Sequence, residues 1–582
     1  MNAVSTPVPD PTAGAPTAEA APRRTPSSYP PDEASSRRRI LRYAVPRWMI
    51  ERATERRLDG DWRGACAAAN VDVAFDLADI AREHGGAVAA AVEDDLLHFA
   101  PDLLRWHLPR VLMGRTTIRN GQTVTLGRYP GAAKAAQYLH VTTPAMVDGP
   151  QRLLLCFGRI DHAVSSGDHR HVLHNWTMLR HLWDVRHTGA LLERHGGGDR
   201  PPFFNADGTR RAAGDLPTAD PGPADPPAHA EWVTLLHEQG KVEAAFAAAG
   251  IALDPSPLEP RWGAPIDPLP VLEKLPLALT RLEPEIQLLI REGFGRRFQI
   301  PHSYGSALLL EGGKRAGELR IRIIDPKEIS GTPVLPEACW RRLPDLDALR
   351  HGDADPDRLH PLVRDALFPL RADPADPVGP PDPRLPSPVR VRCRSEWHEV
   401  GFQDGALRVP HSADEQRREQ AMRAFGGAVA GCFAVAQAVS SGAGRLPKAL
   451  REQRRELYSR AQHGDTPGVL RLLDAGVDPR FRDGRRRTLL HALIHLDHEV
   501  LLPRLLAAGV DLEAVDHNRR TALHVAVGDN GSVALVRALL AAGANPDVAD
   551  DTGQSLSRLI RFRERTDLDF LLALLDRDRP AG

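Results

Sequence analysis

The sequence predicts a multidomain protein in which mixed α+β N-terminal and central regions precede an all-α repeat stack. Three observations lead there. At 582 residues the chain exceeds what one hydrophobic core can serve. Between about residues 40 and 440 the apolar pattern switches between the three- and four-residue spacing of helices and the two-residue alternation of strands. Beyond about residue 455 the chain repeats itself every 33 or 34 residues, the mark of units that bury their apolar faces only against one another.

The composition is globular, with 42% hydrophobic and 26% charged residues. A formal net charge of -1, from 75 basic and 76 acidic residues, supplies no field that would gather nucleic acid or an anionic membrane, so neither is an expected partner. Only six of the basic residues are Lys, which makes any one Arg cluster weak evidence of function. The five cysteines (Cys66, Cys156, Cys339, Cys393, Cys432) are odd in number, widely spaced and never paired as CxxC. That pattern argues against a disulfide framework and a zinc knuckle, and reads as buried, reduced thiols. The N-terminus shows no apolar stretch of signal-peptide length, and no run of about 18 or more apolar residues occurs, so a cytoplasmic protein is expected.

Along the chain, residues 1–39 are expected to form a disordered tail, since a segment rich in Ala, Pro, Ser and Thr buries too little to offset its ordering entropy. Residues 40–195 read as a mixed α/β domain. Helices run to about Met113, Asn120-Gly121 marks a tight hairpin, 152–160 is a buried strand and 171–194 a long helix. Gly-Gly-Gly, Pro-Pro and Asp-Pro steps make 196–230 a linker. In the mixed α+β region 231–440, helices are expected near 231–249 and 276–292. A hairpin pairs Ala307–Leu310 with Leu319–Ile324, and a Pro-rich loop occupies 353–388. A meander over 389–394, 398–402 and 407–409 follows. Ser412 and Glu415 then form a capping box that opens a helix to about Val439, with Gly426, Gly427 and Gly431 in its middle.

The repeat is visible in two independent registers. Gly476-Val477-Asp478 returns as Gly509-Val510-Asp511 and Gly543-Ala544-Asn545, and Thr488-Leu489-Leu490-His491-Ala492 returns as Thr521-Ala522-Leu523-His524-Val525-Ala526. This pattern resembles the ankyrin repeat family, whose unit of about 33 residues begins T-P-L-H and ends G-A-D/N. The resemblance covers roughly residues 455–577, with two good repeats flanked by two degenerate ones. It implies stacked helix pairs whose seam includes Leu490, Leu493, Leu523 and Leu539. It also implies structural work for Thr488 and Thr521 as N-caps of first helices, for His491 and His524 as links between loops, and for Gly476, Gly509 and Gly543 as helix stops. At the position after the repeat-ending Asp where the family commonly has Gly, Gly553 conforms, but Arg486 and Arg519 replace it.

The resemblance implies a protein partner, held by the turns that project from the stack. Arg485, Arg486, His517, Asn518, Arg519 and Asp551 are the candidate contacts, and their guanidinium groups suit an acidic segment. An adaptor or scaffold is therefore the expected function. The alternative is a hydrolase or toxin-like effector whose catalytic part lies in 40–440. Its best support is the cluster His162, His169, His171 and His174 behind a strand, which a bound metal around His162, His169 and His171 would substantiate. GxxxxGK[ST], HExxH, GxSxG and GxGxxG motifs are absent. No catalytic, cofactor or metal-binding residue is assigned from sequence.

Overall fold

The structure is a computed structural model that describes residues 28–577, apart from 113, 131–135, 161–171, 260–263, 304, 314, 316, 394 and 426–429. Its first helix, Pro31–Tyr43, starts inside the segment expected as tail. Pro31 opens it and Asp32 and Glu33 fill its first turn, a favourable helix start, while Ile40, Leu41 and Tyr43 supply enough burial to hold it.

The N-terminal region is a five-stranded mixed sheet flanked by short helices. Its strands are β1 (Val71–Val73), β2 (Gln122–Tyr129), β3 (Gln137–Thr142), β4 (Leu153–Gly158) and β5 (Val172–Asn175), in the order β1-β4-β3-β2-β5. The outer pairs β1–β4 and β2–β5 are parallel and the inner ones antiparallel. Two expectations fail here. Asn120-Gly121 does not join two strands: Ile118 bridges back to Arg110 and its N–H is taken by Gln151 Oε1 (2.9 Å), so β2 finds its partner in β3. Nor is 171–194 one helix. Val172–Asn175 extends as the parallel edge strand β5, and 3-10 turns then lead to a short helix, Ala190–Arg194. Leu179, Leu182 and Trp183 recur at helical spacing because they fill the core beneath the sheet edge, not because a helix carries them.

The two ends of the segment 196–230 pack into the body, while most of 205–226 is exposed. Phe203 and Phe204 are buried, Phe204 meets Phe368 edge-on at 5.7 Å, and Arg200 reaches the fully buried Glu231 at 2.5 Å. Two large aromatics outweigh the Gly and Pro content that suggested a linker. Helices Pro226–Glu238, Val242–Ala248 and Leu279–Arg291 accompany a second sheet of β6 (Ala252–Leu253), β7 (Arg297–Ser303), β8 (Ser306–Glu311) and β9 (Arg320–Ile324), ordered β6-β9-β8-β7. The expected β8–β9 hairpin forms, with Leu310 opposite Ile321. Apolar contact is continuous from Leu41 to Phe368. The Pro-rich loop contains one helix, Pro361–Leu367, and its last part runs toward the repeats, where Pro381 O accepts from Arg460 (3.2 Å).

A meander follows as expected: β10 (Val389–Cys393), β11 (Glu396–Gln403) and β12 (Ala406–Arg408). The capping box forms, with Ser412 N–H donating to Glu415 (2.8 Å) and Glu415 N–H to Ser412 Oγ (3.2 Å). The helix it opens ends at Ala424, however, and a second helix, Gly431–Ser441, begins where Gly431 takes a left-handed φ of 58°. Four pairs of helical segments complete the chain: Lys448–Gln462 with Thr466–Asp474, His491–Ile494 with His498–Ala507, Ala522–Gly528 with Val533–Ala541, and Leu556–Phe562 with Asp569–Arg577. Gly476, Gly509 and Gly543 stop the second helices with φ of 92°, 74° and 94°.

Thr521 caps its helix as expected, accepting from His524 N–H (3.3 Å), but Thr488 does not. The segment after Thr488 is a 3-10 turn whose N-cap is Leu490. Thr488 lies ten positions before the next helix at His498, whereas Thr521 lies twelve before Val533. The shorter segment winds more tightly, since a 3-10 turn gains about 2.0 Å per residue where an α-helix gains about 1.5 Å. Among the described residues no helix is long and apolar enough to cross a membrane.

Candidate functional site

Each finger between repeats is built on one aspartate. Asp483 Oδ1 accepts from the N–H groups of Arg485 and Arg487 (both 2.8 Å), Asp516 Oδ1 from those of Asn518 (2.8 Å) and Arg520 (3.0 Å), and Asp550 Oδ1 from those of Thr552 and Gln554 (both 2.9 Å). The turn needs a left-handed residue three places on. Arg486, Arg519 and Gly553 fill it with φ of 64°, 59° and 74°, which is the physical content of the family's Gly at this point. Backbone bonds join finger to finger, from His517 N–H to Arg485 O and from Asp551 N–H to Asn518 O (both 3.0 Å).

The same aspartates divide the arginines into two kinds. Arg487 and Arg520 are tied down, by Asp483 (2.8 Å) and by Asp516 (3.0 Å) with Asp529 (3.3 Å). Arg485, Arg486 and Arg519 are exposed, and their guanidinium groups make no hydrogen bond among the described residues. His517 and Asp551 are exposed beside them and Asn518 is half-buried. Behind this rim, His491 donates from Nε2 to Arg520 O (3.0 Å) while its Nδ1 accepts from Thr488 N–H (3.1 Å), which fixes the neutral tautomer. His524 reaches Gln554 O in the same way (2.9 Å), so each histidine hangs one repeat on the finger of the next.

Part of the stack is already covered by the chain itself. His463 Nε2 meets the buried Thr116 hydroxyl at 2.9 Å, and His495 hydrogen-bonds the Gly149 backbone. Asp148 is held by Arg115 (2.9 Å). Burial acts to raise its carboxyl, but the Arg115 hydrogen bond and charge, joined by the charges of Arg485 and Arg487, more than reverse this, so it titrates below the usual carboxylate range. Nearby, a cleft of about 820 Å³ lined by Trp48, Asn70, Gln151, Leu470 and His495 separates the N-terminal helices from the repeats.

The histidine cluster of the enzyme alternative gives little to build on. His162, His169 and His171 lie outside the described residues. His174, on β5, is buried and pushed down to about 4 by burial and then by Arg119. Deeper in the body His360 Nε2 meets Asp102 at 2.9 Å. The pocket beside Trp106, His107 and Asp345 holds about 70 Å³, whereas small-molecule sites span about 300–1,000 Å³.

A constellation not foreseen from the sequence lies at the end of the meander. Cys393 on β10, His398 on β11, His411 before the capping box and Cys432 at the start of the Gly431–Ser441 helix bring one ligand atom each within 4.8 Å of one another. His398 Nδ1 is 3.2 Å from His411 Nε2 and 3.5 Å from Cys432 Sγ, and Cys393 Sγ is 3.6 Å from His411 Nε2. Burial, and then Cys393 beside it, pushes the Cys432 thiol up to about 11. The spacing Cys-x4-His-x12-His-x20-Cys contains no short paired motif. Two of the five cysteines are thus drawn together although nothing in their separation announces it. The only local signal was a Cys and a His on facing strands of one hairpin.

Comparison with known proteins bears on the C-terminal part. No curated protein matches the chain. A family model described as ankyrin repeats matches residues 457–550 in three copies. With the finger geometry, the linking histidines and the helix-stopping glycines, this establishes the C-terminal region as an ankyrin repeat stack, a protein–protein interaction module.

Proposed function

We propose that the protein is an adaptor that holds an acidic segment of a partner protein on the finger rim of its ankyrin stack. The observation that carries this is the state of three arginines. Arg485, Arg486 and Arg519 stand exposed on fingers that backbone hydrogen bonds join to one another, so the backbone points that carry their charges are held at fixed spacing and only the side chains are left to order on binding. Guanidinium groups suit bidentate pairing with carboxylates, and an exposed pair of this kind weakens as salt rises. His517, Asn518 and Asp551 lie on the same rim and would contribute polar contacts.

The test replaces Arg485, Arg486 and Arg519 together by Ser in the full chain and leaves Asp483, Asp516, His491 and His524 in place. Wild-type and variant proteins are immobilised and exposed to extract of the native cell at low and high salt, and recovered proteins are compared by mass spectrometry. A partner retained by the wild type at low salt and lost with the variant supports the proposal. Equal recovery by both refutes the role of the arginines.

A further inference from the structure

We propose that Cys393, His398, His411 and Cys432 hold a structural zinc ion that fastens a cap on the N-terminal edge of the ankyrin stack. Zinc bound tetrahedrally, with Zn–N of about 2.0–2.1 Å and Zn–S of about 2.3 Å, places two nitrogens about 3.3 Å apart and nitrogen and sulfur about 3.6 Å apart. The cluster shows 3.2 Å for the nitrogen pair and 3.5 and 3.6 Å for two of the four nitrogen–sulfur pairs, which match three edges of such a tetrahedron. Two thiolates with two imidazoles select zinc over hard, oxygen-seeking cations, and four protein ligands leave no open position for a reacting water, so the role is structural.

The surroundings are built as a second layer for this purpose. Glu396 Oε2 lies 3.5 Å from His398 Nε2, and Glu415 Oε2 lies 3.8 Å from His411 Nδ1. Carboxylates on the outer nitrogens orient ligating imidazoles, and Glu415 is itself fixed by the Ser412 capping box. At Gly431 an added Cβ would stand 2.6 Å from Cys393 Sγ, so the left-handed glycine that opens the Gly431–Ser441 helix is what lets Cys432 approach its partner.

The position explains the need. Among its described residues the segment 389–446 buries few large side chains, chiefly Val391, Val400, Cys432, Val435, Val439 and Leu446, and these join the apolar seam of the repeats. So small a core calls for a staple. The segment lies against the first finger: Phe402 and Phe481 rings are 5.2 Å apart, Arg482 N–H donates to Val439 O (3.2 Å), and an added Cβ on Gly476 would meet Asp404 N at 3.1 Å. Terminal repeats expose a face that only a cap can cover.

The experiment uses the full chain, purified without chelator. Elemental analysis should find about one zinc per chain, and Cys432→Ser and His411→Ala should each bring it to near zero while the Arg485/Arg486/Arg519 variant keeps it. Should the ligand variants fail to fold, wild-type protein exchanged into cobalt decides. Visible d–d bands of a tetrahedral site together with near-ultraviolet sulfur-to-cobalt charge transfer support the assignment. A chain with no zinc and no such cobalt spectrum, or one in which mass spectrometry finds Cys393 and Cys432 joined as a disulfide, overturns it. Hydrogen exchange after metal removal addresses the cap: exchange should rise across 396–411 and the finger 476–487 but not in 297–324. An unchanged finger refutes the capping role.

Discussion

Replacing Glu456 with Ala should loosen the seat of the repeat stack on the N-terminal region. Its carboxylate is 4% exposed and accepts from Arg42 Nη2 (2.9 Å), the Tyr43 hydroxyl (2.8 Å) and Arg460 Nε (2.8 Å). Arg460, 1% exposed, spends its other arm on Asp465 (2.6 Å), which in turn accepts from Trp48 Nε1 (2.6 Å). Burial acts to raise the Glu456 carboxyl, but the charges of Arg460 and Arg42 outweigh it, so the group lies below the usual range and is ionised at neutral pH. Its contribution is therefore present above about pH 4.3, the unfolded value, and is lost as pH falls through the lower folded one.

Removing one partner of a buried ion pair costs about 3–5 kcal/mol, because the other charge stays buried and uncompensated. Gln keeps an acceptor oxygen and the volume but not the charge, so about 1.5–3 kcal/mol is expected there, the weight of hydrogen bonds to charged groups. In a chain of several units a single melting curve does not isolate this contact. Hydrogen exchange in Pro31–Tyr43 and Lys448–Gln462 does, and for Glu456→Ala it should accelerate roughly 100- to 1,000-fold or more, at about 1.4 kcal/mol per tenfold. Acceleration below tenfold in both helices, or Glu456→Gln worse than Glu456→Ala, would refute the reasoning. The network need not raise net stability over an apolar interface of the same shape; what its directional bonds supply is the angle and register at which the stack docks.

Two further outcomes follow from the fingers. Arg486→Gly and Arg519→Gly should each stabilise the stack by about 0.5–1 kcal/mol, because a left-handed non-Gly residue costs about 1–2 kcal/mol while Gly returns part of that through unfolded-chain entropy. Denaturant melts of the two variants measure this, and a loss of stability in both contradicts it. Burial pushes His491 and His495 down to about 4, so both stay neutral where the unfolded chain, near 6.5, takes up protons; stability should fall as pH drops from about 6.5 toward 4. NMR titration of labelled histidines checks the cause directly, and a midpoint near 6.5 for His491 would sink it.

What was legible in the sequence follows from how often a demand is repeated. The stack is visible because each interface asks for the same Leu, His and Gly in the same order, as Leu523, His524 and Gly543 answer Leu490, His491 and Gly509. The meander and the Ser412 box are visible because their signals are local. The helix expected over 171–194 is a counterexample: Leu179, Leu182 and Trp183 return at helical spacing, but the pull of an open sheet edge on Val172–Asn175 is not written in any neighbouring residue. Gly and Pro in 196–230 suggested a linker because composition averages over the two phenylalanines that anchor it. The Cys393–Cys432 cluster was illegible for a third reason. Its ligands come from two strands, the stretch before the capping box and the Gly431–Ser441 helix, and their meeting depends on one expected helix being two, Ala413–Ala424 and Gly431–Ser441, which spacing arguments about cysteine pairs do not contain.

The fingers also separate two meanings of arginine that a count cannot. Arg487 and Arg520 occupy the places where the aspartate of the turn reaches them, so their charge is consumed by the fold. The guanidinium groups of Arg485, Arg486 and Arg519 do not reach that aspartate, whose Oδ1 takes backbone N–H groups and whose Oδ2 takes Arg487 or Arg520, and they are exposed. Asp148 supplies an internal instance of the chemistry proposed for the partner. A carboxylate from elsewhere in the chain, held by Arg115 and within the field of Arg485 and Arg487, stays ionised despite the burial that works against it. A partner carboxylate arriving at the rim would meet the same field with less desolvation, and the guanidinium groups of Arg486 and Arg519 stand exposed on that rim with no hydrogen bond among the described residues.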